Sequence, residues 1–318
     1  MDSTFVVGID VGGQTSKIGV VDARGTVLAQ TVIRTDTYDQ VEPYIAELAQ
    51  AVNKLIRESG TEGKVRGIGV GAPNGNYYTG TIENAPNLLW GRQRVEFSKL
   101  LSEAMGGLPV ALTNDANAAA VGEMTYGAAR GMKNFIMITL GTGVGSGIVI
   151  NGEVVYGHDG FAGELGHVAA VRNNGRTCGC GKTGCLETYA SATGVTRTAR
   201  EWLELTDEPS VLRSLDNIAS KDVYEAAKDG DKLALKIFEF TGKILGRSFA
   251  DFIAFSSPEA IVLFGGLARA KEFLLGPIEE AMNANVLPLW RGKVKIVFSQ
   301  LKESDAAILG ASALAWEL

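Results

Sequence analysis

The chain has 318 residues, 46% hydrophobic and 21% charged, a balance that excludes a disordered or fibrous protein and requires a sizeable buried core. Its 30 basic and 36 acidic residues leave a formal net charge of -6, which argues against a surface built to hold nucleic-acid phosphates and favours small or neutral partners. No apolar run approaches the ~20 residues that span a bilayer, and Met1–Gly8 has no basic segment leading into an apolar one, so a soluble, cytoplasmic protein is expected.

Three short β-branched strands are predicted at 5–10, 17–22 and 26–33, separated by the turn-forming stretches GGQTS and ARG. Val41, Ile45, Leu48, Val52, Leu55 and Ile56 then recur at helical spacing, with Pro43 in the first turn, where its missing N–H costs nothing. Strands at 65–71 and 110–113 follow, the second leading into a helix begun by NDANAAA. The pattern restarts with strand 135–140, a Gly-rich turn, strand 146–150 and a hairpin, and this second opening suggests duplication. A Gly- and Cys-rich loop (172–185) precedes a long helical stretch from about Leu186 to Phe255. Strand 260–266, a helix near 270–285, strand 294–299 and a C-terminal helix from about Ser304 complete an α/β chain. Single cores stop growing at roughly 250 to 300 residues. Two domains are therefore expected, 1–116 with about 304–318, and 117–303.

Asp10 ends a strand, and Gly12-Gly13 make a turn whose N–H groups can face an anion without hindrance from a Cβ; a plain hairpin with an incidental aspartate fits equally. The turn LGTGVGSG, with Gly141, Thr142 and Gly143, lacks the P-loop pattern and opens onto a strand, so it is no dinucleotide fingerprint either. Two strand-turn-strand hairpins, one per half, suit a nucleotide held between two domains. Gly265-Gly266 would let backbone approach a flat ligand, although a tight strand-to-helix connection explains the pair as well.

Asp115 falls at a strand-to-helix junction, the place where ligands collect in α/β sheets. It suits acceptance of a proton from a substrate hydroxyl, with Asn114 orienting the same sugar; both residue types also favour helix capping. His167, Cys178, Cys180 and Cys185 make a full tetrahedral set for structural zinc, at a spacing unlike that of a zinc finger. Glu164 and Glu187 flank that set. If zinc fixes one nitrogen of His167, the other is free to meet vicinal hydroxyls beside these carboxylates; solvated surface charge is their plainer reading.

Together GIDVGGQTSK, GAPNG with ENAPNL, NDANAA, LGTGVGSG, the E-x-G-H motif at 164–167, CGCGKTGCLE and VLFGG resemble the ROK family (repressors, open reading frames and kinases) over essentially the whole chain. The resemblance implies a two-domain actin-like ATPase (ribonuclease H-like) fold with an interdomain cleft, a homodimer, and transfer of the γ-phosphate of Mg-ATP to a hexose hydroxyl. In glucokinases that is the 6-hydroxyl of glucose; N-acetylhexosamine kinases share the motif. It also implies Asp115 as general base, and Asn87, Asn114, Glu164, His167 and Glu187 as sugar ligands. Gly12, Gly13, Gly141, Thr142, Gly143, Gly265 and Gly266 become nucleotide contacts, Asp10 an indirect magnesium ligand, and His167 with Cys178, Cys180 and Cys185 the zinc set. Two positions depart from the family pattern: Gln14 stands where Thr commonly follows the first Gly-Gly, and Asn74 precedes Gly75 where Gly commonly follows the proline. Repressors of the family carry a helix-turn-helix before the core, for which a first strand at about Phe5 leaves no room, so a kinase is expected.

Overall fold

In the computed structural model, which describes residues 4–318, the opening β-branched segments form a meander of β1 (Phe5–Val11), β2 (Thr15–Asp22) and β3 (Val27–Arg34). Met1–Ser3, part of the segment read above for a leader, lie outside the described residues. β1 and β2 are buried almost throughout, whereas β3 alternates half-buried with exposed positions, as an edge strand with one wet face must. Helix α1 (Val41–Glu58) turns Ile45, Leu48, Val52, Leu55 and Ile56 inward, the stripe its spacing predicts. β4 (Val65–Ala72), the small hairpin β5 (Gly75–Asn76) and β6 (Thr81–Ile82), α2 (Phe97–Ala104) and β7 (Val110–Asn114) follow. The first sheet has the order β3-β2-β1-β4-β7, with β1, β4 and β7 parallel.

Helix α3 (Asp115–Tyr126) leads to β8 (Phe135–Leu140), β9 (Val144–Ile150) and β10 (Glu153–Val154). Helices α4 (Glu187–Ala190), α5 (Ala192–Leu205), α6 (Ser220–Lys228) and α7 (Lys232–Ser256) come next, followed by β11 (Ala260–Phe264), α8 (Lys271–Asn285), β12 (Lys295–Phe298) and α9 (Glu303–Leu314). The second sheet, β10-β9-β8-β11-β12, repeats the plan of the first: two antiparallel pairings, then two parallel ones. That repetition is the duplication legible in the sequence. Among the described residues no helix is long and apolar enough to cross a membrane.

The stretch expected to be helical from Leu186 to Phe255 is broken after α5, where extended chain and a short 3-10 turn (Val211–Ser214) precede α6. Pro209 cannot continue a helix, and the Ser210 hydroxyl instead accepts the Leu212 N–H to start the 3-10 turn. Asp231 restarts the helix by accepting the Ala234 N–H. Strand 260–266 likewise ends early, at Phe264, because Gly265 takes a φ of 105°. α2 and the β5–β6 hairpin have no counterpart among the predicted elements.

α9 crosses the first sheet at backbone contact. A Cβ at Gly8 would lie 2.1 Å from the Ile308 carbonyl oxygen, and one at Gly69 1.9 Å from that of Ala311. On its other side α9 meets α3, where a Cβ at Gly122 would fall 2.7 Å from the Gly310 Cα. α3 in turn packs on β8 and β9, so these two small-residue helices join the sheets. Gly69→Ala is expected to lose about 3 kcal/mol of unfolding free energy through overpacking. Equilibrium urea denaturation of this variant beside the wild type checks it.

Candidate active site

The parallel register aligns Asp10 with Gly71, Gly71 with Thr113, and Ala72 with Asn114, so Asp10, Asn114 and Asp115 come together at the carboxyl ends of β1, β4 and β7. A cavity of about 190 Å³ opens there between the sheets, lined by Asp10, Gly71 and Asp115 from one side and Met137, Thr139 and Phe264 from the other. Asn114 caps α3, its Oδ1 accepting the Ala116 N–H at 2.8 Å, and Asp115 Oδ1 shares that donor at 2.8 Å. The cap therefore occupies one oxygen of Asp115 and leaves Oδ2 for other work.

These carboxyls perturb one another. Asp115 opens onto the solvent of the cleft, yet the protein mass around it strips away enough water to push its carboxyl upward, against the opposing backbone hydrogen bond from Ala116. Burial first, then the charge of Asp115, raises Asp10 from 3.8 to about 6, with Lys17 pulling the other way. Glu164 is also raised, by desolvation and by the charges of Asp115 and Glu187, while His167 opposes the shift.

Both predicted phosphate turns are tight hairpins. The Gly12 N–H donates to the Thr15 carbonyl at 3.1 Å, and the Gly141 N–H to that of Gly143 at 3.0 Å. A Cβ at Gly13 would lie 2.8 Å from the Asn87 carbonyl oxygen, so the segment bearing Asn87 rests on the first turn. One at Gly143 would lie 2.1 Å from Glu187 Oε2, which accepts the Val144 N–H at 3.0 Å. Asn87, Thr142, Gly143, Cys178 and Glu187 line one cavity of about 450 Å³, which brings residues expected at the sugar and at the nucleotide together. Gly265 lies apart from it, packed against the Leu140 carbonyl and lining a recess of about 170 Å³.

The imidazole of His167 and the thiols of Cys178, Cys180 and Cys185 place their ligand atoms within 4.8 Å of one another. Cys180 and Cys185 sulfurs are 3.7 Å apart, as are Cys178 Sγ and His167 Nδ1. Zn–S bonds of about 2.3 Å give a tetrahedron with edges of about 3.8 Å. The cluster thus fits a tetrahedral thiophilic cation. Burial, then the neighbouring Cys180 and Cys178, push the Cys185 thiol up to about 12, so three sulfurs in this space ionise together only with a cation among them. Since Nδ1 faces the cysteines, Nε2 is the outward nitrogen, 3.9 Å from Glu164 Oε2.

Arg176 is the residue the sequence did not disclose. Its guanidinium, 8% exposed, donates to Glu201 at 2.5 Å, to the Thr188 carbonyl at 2.8 Å and to the Thr198 hydroxyl at 2.9 Å, and lies 4.5 Å from the centre of the Tyr189 ring. It ties the cysteine loop to α4 and α5. An arginine between Gly175 and Thr177 belongs to no periodic pattern, so no sequence signal marks it.

The ROK family profile matches residues 6–317. The chain belongs to the ROK family. Among curated members it is 38% identical over 315 residues to a glucokinase of Halalkalibacterium halodurans, covering 98% of this chain and 94% of that one. A solved ROK family glucokinase of Streptomyces griseus, in complex with glucose and AMPPNP, superposes with a TM-score of 0.80 at 32% identity, covering 99% and 100% of the two chains. A ROK family transcriptional regulator, homologous to the Escherichia coli MLC protein, superposes at 0.88 with 28% identity and is covered over only 78% of its length. The fold is accordingly the actin-like ATPase fold, two α/β domains about a cleft.

Because the folded-state value of Asp10 is raised, the native protein holds this proton more tightly than the unfolded chain does. Its contribution to stability is complete below 3.8 and is lost as pH rises through about 6. Without magnesium or nucleotide, Asp10→Asn should remove that loss and be the more stable protein at pH 7, by ~1–3 kcal/mol. Melting temperatures of both proteins across this range check it.

Proposed function

We propose that this ROK protein is an ATP-dependent glucokinase that moves the γ-phosphoryl group of Mg-ATP to the 6-hydroxyl of glucose, with Asp115 as general base. The chain is a sugar kinase, and its similarity to glucokinases over nearly its full length supports glucose as the acceptor. The observation that carries the mechanism is the position of Asp115: at the strand ends, one oxygen committed to the α3 cap and the other uncommitted, with its basicity raised by its surroundings.

In this reading Asn87, Asn114, Glu164, His167 through Nε2, and Glu187 hold the sugar hydroxyls. The glucose 6-oxygen attacks the γ-phosphorus as Asp115 Oδ2 takes its proton, the bond to the β,γ-bridging oxygen breaks, and ADP leaves. Backbone at Gly12, Gly13, Gly141, Thr142 and Gly143 lies along the phosphates, the N–H groups of Gly12 and Gly141 closing the two hairpins while those of Gly13, Thr142 and Gly143 face the anion, and backbone at Gly265 and Gly266 meets the adenosine. The raised Asp10 suits a hard cation ligated through water, and magnesium there would offset phosphate charge. Zinc is read as structural, because a Cys3His set leaves no open position; its effect on the sugar is to fix His167. The cleft is assigned to a lobe of residues 1–116 with about 304–318 and a lobe of 117–303.

ADP release in the presence of glucose, N-acetylglucosamine, N-acetylmannosamine, mannose or fructose tests the substrate, and a preference for an acetylated sugar would move it. Asp115→Asn should lower kcat about a thousandfold with little change in glucose binding; undiminished turnover would remove Asp115 from the mechanism. The acid limb of the wild-type kcat/KM profile should lie above the ordinary carboxylate range, since only ionised Asp115 accepts the proton. Elemental analysis should find one zinc per chain, and chelation should raise the glucose KM more than it lowers kcat.

A further inference from the structure

Glu164 stands at the end of a loop, 155–163, that holds no helix or strand. Gly157, Gly160 and Gly163 take φ values of 76°, 92° and 97°, and glycine loses more conformational freedom on ordering than any other residue. Beyond its own Ala162 N–H to Tyr156 carbonyl bond, at 3.0 Å, most of what holds this loop comes from the other half of the chain. Tyr156, at its start, stacks face to face on Tyr77, with centroids 4.1 Å apart and planes within 4°. Tyr78 meets both rings edge-on, at 6.1 and 6.0 Å. The Tyr78 hydroxyl donates to the Gly157 carbonyl at 2.9 Å, and buried Asn76 donates through Nδ2 to the Asp159 carbonyl at 2.7 Å. A Cβ at Gly160 would lie 2.5 Å from Asn76 Oδ1, so glycine there lets the loop close on the asparagine. At the far end the Ser146 hydroxyl donates to the Gly163 carbonyl and accepts the Leu165 N–H.

The clasp leads straight to the base. Asn76 belongs to β5, which packs on β7; a Cβ at Gly75 would lie 2.4 Å from the Thr113 carbonyl oxygen, two residues before Asp115. Asn76 Oδ1 also accepts the Tyr78 N–H at 3.1 Å, holding the tyrosines on their own turn. The path therefore runs from Glu164 through the glycine loop, the tyrosine cluster and β5 to the strand that ends at Asn114. Such a connection keeps Glu164 in register with Asp115 even though the two residues stand on different sheets.

We propose that Tyr77 and Tyr156, with Tyr78 and Asn76, are positioning residues for the sugar site: they order the arm that carries Glu164 and set its distance from Asp115. The proposal rests on the sugar-kinase reading. Its signature is selective, because the clasp touches the sugar arm and neither phosphate turn. Tyr77→Ala should raise the glucose KM about five- to tenfold, the range expected for loss of one aromatic pair, and leave the ATP KM unchanged. Tyr77→Phe, which keeps the stack, should restore it. Titration of intrinsic tryptophan fluorescence with glucose, in the absence of ATP, should shift by the same factor.

An unchanged glucose KM in folded Tyr77→Ala, a parallel rise in both KM values, or damage by Phe equal to that by Ala would each overturn the proposal. Should Tyr77→Ala fail to fold, Tyr78→Phe removes only the hydroxyl bond to Gly157 from a side chain 59% exposed. A glucose KM unmoved there would overturn it as well. If the wild-type protein phosphorylates no hexose, the kinase reading falls and the clasp is judged by limited proteolysis. Cleavage between 157 and 163 in Tyr77→Ala but not in wild type supports it, and equal resistance overturns it.

Discussion

The constraint on which the two halves depend is backbone against backbone where α9 lies on β1 and β4. Carbonyl oxygens of Ile308 and Ala311 occupy the space that side chains at Gly8 and Gly69 would need. No rotamer change relieves such a contact, so the approach of helix to sheet is fixed by glycine alone. α9 is pinned on its opposite side by α3, through Gly122 and Gly310, and α3 begins at Asp115. The position of the central carboxylate is thus inherited from a helix crossing about two turns away along α3. It also explains why α3 and α9 lack an apolar stripe: buried on several sides, they are small and apolar nearly all round.

Against that rigid joint, the cleft is electrostatically uneasy. Asp10, Asp115 and Glu164 are all pushed toward the protonated form by loss of water, and the charge of Asp115 raises the other two further. A protein gains nothing in stability from such an arrangement. The cost is understandable where a metal-bound phosphate and a row of hydroxyls are to complete the site. The stabilising ion-pair chemistry lies elsewhere, under the cysteine loop, where Arg176 meets Glu201 and a ring of carbonyl and hydroxyl acceptors.

Much of this was legible in the sequence, and the reasons are local. β-branched runs bounded by glycine gave the strands of both sheets to within a few residues, and the doubled opening anticipated their common plan. The spacing of Cys178, Cys180 and Cys185 with His167 was sufficient to gather four side chains able to hold a metal, because a glycine-rich loop offers little resistance to folding back on itself. Short elements escaped: two-residue strands carry no alternation, and α2 has only two buried residues, Phe97 and Leu101. Pro209 in an otherwise helical region was a break signal that the surrounding periodicity overrode. What no local pattern can reveal is pairing at distance, as between Tyr78 and Gly157, 79 residues apart, or the many partners of one arginine.

Glu187 spans two territories. One carboxylate oxygen holds the backbone of the β8–β9 turn at Val144, and the other lies 3.7 Å from Cys178 Sγ. Its reach to Val144 is possible only because residue 143 has no side chain. The two positions are therefore sterically coupled: any side chain at 143 would push the Glu187 carboxylate off the Val144 N–H, and with it both the turn and the residue beside the cysteine cluster would shift.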